Sequence, residues 1–312
     1  MSSQSITVRV PGTSANCGPG FDSIGLACTI YNDLELTLLK EPGLSITVHG
    51  EGEENIPCDK RNIVWRSVRY LLGKAGRDKE YRGAVIRMRN HVPLSRGLGS
   101  SATAIVAGLK AANVLIGNRF SRRELLQFAT EIEGHPDNVA PAIFGGFTVS
   151  TVTDGRVECF SFMPKSRLRL VVAVPDFPLS TRKARSVLPS QVPMKDAVRN
   201  IGKAAMMVAA LCRGNDRFLH HVFDDALHQP YRARLIPGMY DVFAAARKAG
   251  ALGASLSGAG PCLIAYTLER RHCEEAVGKA MQDMFHRHGV RARIFTLDLD
   301  SRGAHIVNKN NH

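Results

Sequence analysis

Apolar and polar residues alternate along several stretches of the first half of the chain. Ile6, Val8 and Val10 alternate with Thr7 and Arg9, which predicts a half-buried strand ending at Pro11-Gly12. Leu34, Leu36 and Leu38 alternate in the same way, as do Leu44, Ile46 and Val48, with Glu41-Pro42-Gly43 between them. That pattern predicts a β-hairpin. Residues 62 to 76 place Ile63, Val64, Val68, Leu71 and Leu72 at helical spacing before Gly73 and Gly76, and a strand follows at Ala84, Ile86 and Met88. The helical period returns at Ile105, Leu109, Ala112 and Ile116, so one face of that helix is expected to bury. Ser121 and Glu124 form a capping box, Leu125, Phe128, Ala129 and Ile132 make one buried face, and Gly134 stops the helix. A loop over residues 133 to 141 and a strand from Phe147 to Val152 complete this half.

From about residue 165 the pattern restarts. Leu168, Leu170, Val172 and Val174 predict a strand, and residues 197–211 and 218–227 predict helices. Short strands at 254–256 and 263–266, a helix at 276–285 and a strand at 291–297 follow. The order β, helices, β, β, α, β is that of a split βαβ, ferredoxin-like unit. The expected division therefore falls between residues 155 and 167, giving domains of 1–163 and 164–312, with a frayed polar tail at Asn308 to His312.

Composition narrows the class. A length of 312 residues suits two cores, and 41 basic against 28 acidic residues give a net charge of +13. No run of like charge exceeds two residues and aromatics are 6%, so a stacking platform for nucleic acid is not expected. The surplus charge could attract nucleic acid, acidic membranes or anionic small molecules, and is read mainly as a basic, solvated surface of which a phosphate ligand takes advantage. Seven scattered cysteines without a CxxC pair suggest reduced thiols. With neither a secretory signal nor a membrane-length apolar stretch in the sequence, the expected compartment is the cytoplasm.

The chemistry concentrates in residues 93 to 103, where Pro93, Leu94, Ser95, Arg96, Gly97, Leu98, Gly99, Ser100 and Ser101 lead into a helix. Glycines that let the backbone approach a ligand, followed by a helix amino end, make an anion site. A dinucleotide fold would need a strand after that helix, and a second helix stands there instead; a P-loop would need a lysine that the loop lacks. A polar stretch at 13–25 offers Asn16 and Asp22, and residues 133–138 offer Glu133, His135, Asp137 and Asn138.

These stretches, with the glycine-rich residues 256–261, resemble the motifs of the GHMP kinase family, and the resemblance covers nearly the whole chain. Within that family Ser14–Asp22, Glu133–Pro141, Ser180–Arg185 and Pro230–Pro237 are most similar to the homoserine kinases. The resemblance implies an α+β, two-domain GHMP kinase fold: an N-terminal domain like ribosomal protein S5 domain 2 and a ferredoxin-like C-terminal domain. It implies transfer of the ATP γ-phosphoryl group to the side-chain hydroxyl of L-homoserine in threonine biosynthesis, with Mg²⁺, and a homodimer without nucleic-acid or membrane partners. By the same resemblance residues 93–101 hold the ATP phosphates, Asn62 lies on the nucleotide side, and Ser100 and Glu133 serve the metal, with Glu131 as the alternative carboxylate. Asn16, Asp22 and His135 are implied to hold the polar end of homoserine, and Arg185 and Arg232 its carboxylate. The glycines of Ser257-Gly258-Ala259-Gly260 fit a ligand contact or a tight turn equally. Asn138 stands where other members of the family carry an aspartate base, so catalysis is expected to rest on positioning and charge, with Asp137 unassigned. The alternatives are another small-molecule kinase of the family, or an inactive nucleotide-binding regulator of the same fold.

Overall fold

In the computed structural model, which describes residues 4–311, the first alternating stretch becomes β1 (Gln4–Ala15), antiparallel to the long β2 (Ile24–Leu39). β3 (Gly43–Gly50) does not pair with β2 as a hairpin would. β4 (Gly83–Asn90) lies between them, parallel to β3 and antiparallel to β2. Alternation fixes which face of a strand is buried but not its neighbour, and here the turn at Glu41–Gly43 folds over the start of β4. A side chain at Gly83 would overlap the carbonyls of Gly43 and Glu41, so glycine is what permits the crossing.

Four helices cover one face of this sheet: α1 (Ile63–Lys74), α2 (Ser100–Leu115), α3 (Arg122–Glu133) and α4 (Pro136–Phe144). Val8, Leu36 and Ile86 of the sheet pack against Leu71, Ile105, Leu109 and Leu125 in one core. α4 stands where a loop was expected, because His-Pro and Ala-Pro read as breakers in sequence. Pro136 sits in its first turn, where no amide is needed, and Pro141 leaves the Asp137 carbonyl without its intrahelical donor. Gly25 packs directly on that carbonyl, where any Cβ would overlap it.

The hairpin of β5 (Phe147–Thr153) and β6 (Arg156–Phe162) joins the same sheet through β2, so Asp154-Gly155 is a hairpin turn rather than a domain division. β7 (Leu168–Pro175) opens the second sheet, ordered β10-β7-β9-β8 with every neighbour antiparallel, as the split βαβ order predicts. Its other members are β8 (Gly253–Leu256), β9 (Leu263–Leu268) and β10 (Ala292–Asp298), and the longer helices of this half are α6 (Met194–Arg213), α8 (Met239–Lys248) and α9 (Glu274–Arg287). One face packs Val171 and Ala173 on Val242, Phe243, Met281 and Phe285. The other packs Leu170 and Val172 with Leu26, Ile30, Leu98 and Phe147, so the two halves share a core.

Two expectations for this half are corrected, and two short helices are added. Residues 218–227 are not one helix; a 3-10 turn over Asp216–His221 gives way to irregular chain, because the Asp225 carboxylate takes the amides of Leu227, His228 and Gln229. Two short helices, α5 (Thr181–Arg185) and α7 (Gln229–Arg232), carry the arginines singled out by the sequence. Of the tail expected to fray, Asn308 to Asn311 are ordered instead: β11 (His305–Asn311) returns to the first sheet and pairs antiparallel with β1, so this strand crosses the expected division, while His312 lies outside the described residues.

Candidate active site

The loop entering α2 is held on both sides before it meets any ligand. Asn32 accepts the amides of His91 and Val92 and donates to Thr103, fixing the approach. Leu98 is fully buried in the shared core, and its carbonyl accepts the Thr13 amide at 3.0 Å. The Arg96 carbonyl accepts the Cys262 amide at 3.0 Å, and the Gly97 carbonyl accepts the Ser257 hydroxyl at 2.6 Å. Ser95, Gly97 and Gly99 have φ values of 56°, 88° and 67°. A Cβ at Gly97 would overlap the Ser257 carbonyl, and one at Gly99 the Thr13 hydroxyl. The amino end of α2, with no side-chain cap and no acid in its first turn, is thus aimed into a cleft of about 440 Å³. Its first amides lack intrahelical acceptors and its dipole favours an anion there.

Opposite the loop, Glu133 lines the cleft and its carboxylate accepts the Ser101 hydroxyl at 2.8 Å. Burial pushes its pKa up, against the opposing pull of Ser101 and His135. Glu131 points away from the cleft, toward Tyr70, Lys74 and Gln127. His135 Nδ1 lies 2.6 Å from the Asp137 carboxylate. Burial alone would lower the His135 pKa, yet the bond and charge of Asp137, with Glu133 and Asp22, raise it on balance. Asp137 is only 2% exposed yet lines the cleft, and Asn138 beside it accepts the Thr13 hydroxyl at 2.8 Å. Both sit in the first turn of α4, a placement hidden by the prolines in sequence.

At the far end of the cleft, Asn16 accepts the Asp22 amide at 3.0 Å and donates to the Gly258 carbonyl at 2.9 Å. Asp22 meets Arg185 through two bonds of 2.8 and 3.1 Å. Arg232 is 2% exposed and donates to the carbonyls of Ala184 and Gly258. Burial, and then the neighbouring Arg185, lower its pKa to about 10, so it stays cationic at neutral pH. Both guanidiniums lie over the Phe21 ring, at 5.7 Å for Arg185 and 5.2 Å for Arg232. The third glycine stretch forms a tight turn, with the Gly260 amide donating to the Ser257 carbonyl at 2.9 Å, and lines one wall of the cleft.

Not every residue of the sequence-derived set reaches the cleft. Asn62 is fully buried and caps α1, accepting the Val64 amide and donating to the Pro57 carbonyl, while its neighbours Arg61 and Ile63 line the cleft. Pro93 and Leu98 are buried supports of the loop. Arg96 lines the cleft, but its guanidinium is taken by the carbonyls of Leu94, Pro175 and Asp176, which ties the loop to the end of β7. Sequence reasoning missed Ile56, Pro57, Met88 and Ala104, which with Leu94 of the loop line an apolar slot of the cleft; these four are scattered along the chain without a motif. It also missed Thr13, whose hydroxyl holds Asn138 and which no local signal distinguishes.

Residues 62–146 match the family description "GHMP kinases N terminal domain" and residues 190–287 match "GHMP kinases C terminal". The homoserine kinase of Carboxydothermus hydrogenoformans is 44% identical over 299 residues, 96% of this chain and 96% of that protein. That of Moorella thermoacetica is 43% identical over 96% of this chain and 99% of its own length. The crystal structure of homoserine kinase from Cytophaga hutchinsonii superposes with a TM-score of 0.88 at 32% identity, covering 97% of each chain. Mevalonate kinase from L. major shares the fold, at 18% identity and a TM-score of 0.69 over 96% of each chain.

Proposed function

The chain belongs to the GHMP kinase family, with the two-domain α+β fold of that family, and we propose that it transfers the γ-phosphoryl group of ATP to the hydroxyl of L-homoserine. The products are O-phospho-L-homoserine and ADP, and the step belongs to threonine biosynthesis. The observation that carries the substrate is the far end of the cleft. Asp22, Arg185 and Arg232 gather there one carboxylate and two guanidiniums, the complement of an α-ammonium and an α-carboxylate. A sugar or an isoprenoid acid presents no such pair of charges.

ATP fits the other end. Its phosphates meet the loop and the amino end of α2, and the base enters the apolar slot beside Ile56, Pro57 and Met88. The donor set also fits Mg²⁺ shared with the nucleotide. Glu133 and Ser100 supply hard oxygen ligands, and the described residues contain no cluster of three acids or histidines that would cage an ion alone. Held by these residues, Mg²⁺ would supply neutralising positive charge to the transferred phosphate. The assignment of Glu133 rather than Glu131 is supported by the turn of the Glu131 carboxylate toward Tyr70, Lys74 and Gln127.

The protein's own part is to hold the acceptor hydroxyl in line with the phosphate and to exclude water, since phosphoryl transfer asks little covalent chemistry of side chains. Asn138 is an amide engaged by Thr13, and the Asp137 carboxylate is engaged by His135, so neither stands as a free base. The hydroxyl proton passes to the phosphate or to solvent. A homodimer in the cytoplasm, without nucleic-acid partners, completes the reading. Among the described residues no helix is long and apolar enough to cross a membrane.

ADP release in a coupled assay over L-homoserine, mevalonate, galactose, shikimate and L-serine tests the proposal. Turnover is expected with L-homoserine; turnover of mevalonate in its place would refute the substrate and leave the fold standing.

A further inference from the structure

We propose that His228, which has no place in the phosphate loop or among the substrate contacts, is a positioning residue that sets Arg232 relative to Asp22 and so fixes the spacing between the carboxylate and ammonium subsites. The inference rests on the reading of the acceptor as an α-amino acid.

The imidazole is fully buried and its two nitrogens face two different parts of the site. Nε2 lies 2.8 Å from the Gly18 carbonyl, and Nδ1 lies 3.3 Å from Arg232 Nη1. A carbonyl only accepts and a guanidinium only donates, so one tautomer satisfies both: Nε2 carries the proton and the Nδ1 lone pair faces Arg232. Burial pushes the His228 pKa down and the Arg232 charge adds to this against Asp225, which keeps the ring neutral as that arrangement requires.

The partners on either side are rigid. Gly18 has φ of 86° and packs so that a Cβ would overlap the Phe223 carbonyl. The turn from Asn16 to Asp22 is closed by Gly20 donating to the Asn16 carbonyl at 2.9 Å and by the Asn16 side chain holding the Asp22 amide. The His228 ring also stacks on Phe21, with centroids 5.1 Å apart. On the other side, the two Nη1 hydrogens of Arg232 are used by Gly258 and His228, and Nε by Ala184. Nη2 is left for the cleft that Arg232 lines. Remove the Nδ1 acceptor, and the guanidinium can rotate about its own axis and lose the aim of Nη2.

Two variants of the full chain divide the roles of the ring. His228→Gln places an amide donor near Nε2 and keeps the bond to Gly18, whereas His228→Asn places an acceptor near Nδ1 and keeps the bond to Arg232. Kinetics are read with L-homoserine and with 3-amino-1-propanol, which has the ammonium and the hydroxyl but no carboxylate. For His228→Gln the expected result is a rise of about tenfold or more in KM for L-homoserine, with kcat and KM for ATP within about twofold. His228→Asn should recover part of that loss, and kcat/KM for 3-amino-1-propanol should be the same as wild type in both. An unchanged KM for L-homoserine in His228→Gln, or equal losses on both acceptors, overturns the proposal while leaving the kinase reading intact. Absence of wild-type turnover on L-homoserine overturns both. Should neither variant fold, imidazole nitrogen shifts of the wild-type protein decide: a neutral Nε2–H ring whose Nδ1 resonance moves on adding L-homoserine is expected, and a protonated or Nδ1–H ring overturns the proposal.

Discussion

Arg185 and Asp22, 163 positions apart in the chain, face each other through two parallel hydrogen bonds of 2.8 and 3.1 Å. Each carries the charge that an α-amino acid would meet, so a zwitterion entering between them exchanges one ion pair for two. A ligand with one charge leaves the other partner unmatched, which is a source of selectivity. Arg185→Gln and Asp22→Asn should each raise KM for L-homoserine by roughly ten- to a hundredfold, the equivalent of one charge-assisted hydrogen bond at about 1.5–3 kcal/mol. Both side chains are more than a third exposed, so the pair itself contributes little to stability and melting temperatures should hardly move. Steady-state kinetics beside thermal melts check this; a large loss of stability with unchanged KM would assign the pair a structural role only.

The phosphate loop depends on backbone that a side chain cannot occupy. Gly97→Ala places a methyl group against the Ser257 carbonyl at φ of 88°. It is expected to cost about 1–3 kcal/mol of stability and to raise KM for ATP. Gly76→Ala, also at positive φ but with open space around the added carbon, is the control for conformational strain alone. Nucleotide titrations separate the two, and equal ATP affinity in both variants would contradict the role of the loop.

Glu133 and Glu131 sit two residues apart on α3 yet face different surroundings. Glu133→Gln should lower kcat/KM by roughly a hundredfold through lost electrostatic stabilisation, and no rise in Mg²⁺ should restore it fully. Glu131→Gln should stay within about twofold of wild type in activity. Its hydrogen bond from Tyr70 is the first cause of its lowered pKa and belongs to a largely solvated cluster with Lys74 and Gln127. The opposite ranking in a Mg²⁺ titration would exchange the two assignments.

The raised pKa of His135 carries a pH dependence whose sign is fixed. A group whose folded pKa lies above its unfolded value adds stability fully below about pH 6.5, and loses it as pH rises through the folded value. Asp137→Asn removes the partner that raises it, so the fall in stability above about pH 6.5 should flatten. Urea unfolding of both proteins at intervals from about pH 6 upward measures it. Parallel curves would mean that the contact with Asp137 does not set the His135 pKa.

The same substitution tests the absence of a catalytic base. If positioning and charge carry the reaction, kcat in Asp137→Asn should keep the shape of its pH profile, with any loss appearing mainly in KM. A wild-type profile with one essential base that vanishes in this variant, substrate binding being intact, would give Asp137 that role.

Much of this protein is written locally. Alternation in β1, β4 and β7, the capping box at Ser121, and the glycine loop before α2 are short-range patterns whose physics acts within a few residues, so sequence determines them. The family motifs name Asn16, Asp22, Glu133, His135, Arg185 and Arg232 because each lies inside a recognisable stretch. Tertiary structure decided the rest. Whether Leu44 to Val48 would pair with β2 or β4 depended on a chain crossing at Gly83. Residues 136 to 144 form a helix despite Pro141, and its seat on β2 needs a glycine at position 25, where the Asp137 carbonyl leaves no room for a Cβ. Asn62 became the cap of α1, and His228 became the bridge between Gly18 and Arg232, because a buried polar group takes the partners that folding brings to it. Sequence spacing carries the period of an element and the chemistry of its residues; which distant groups share a low-dielectric interior is settled only when both sheets close on their common core.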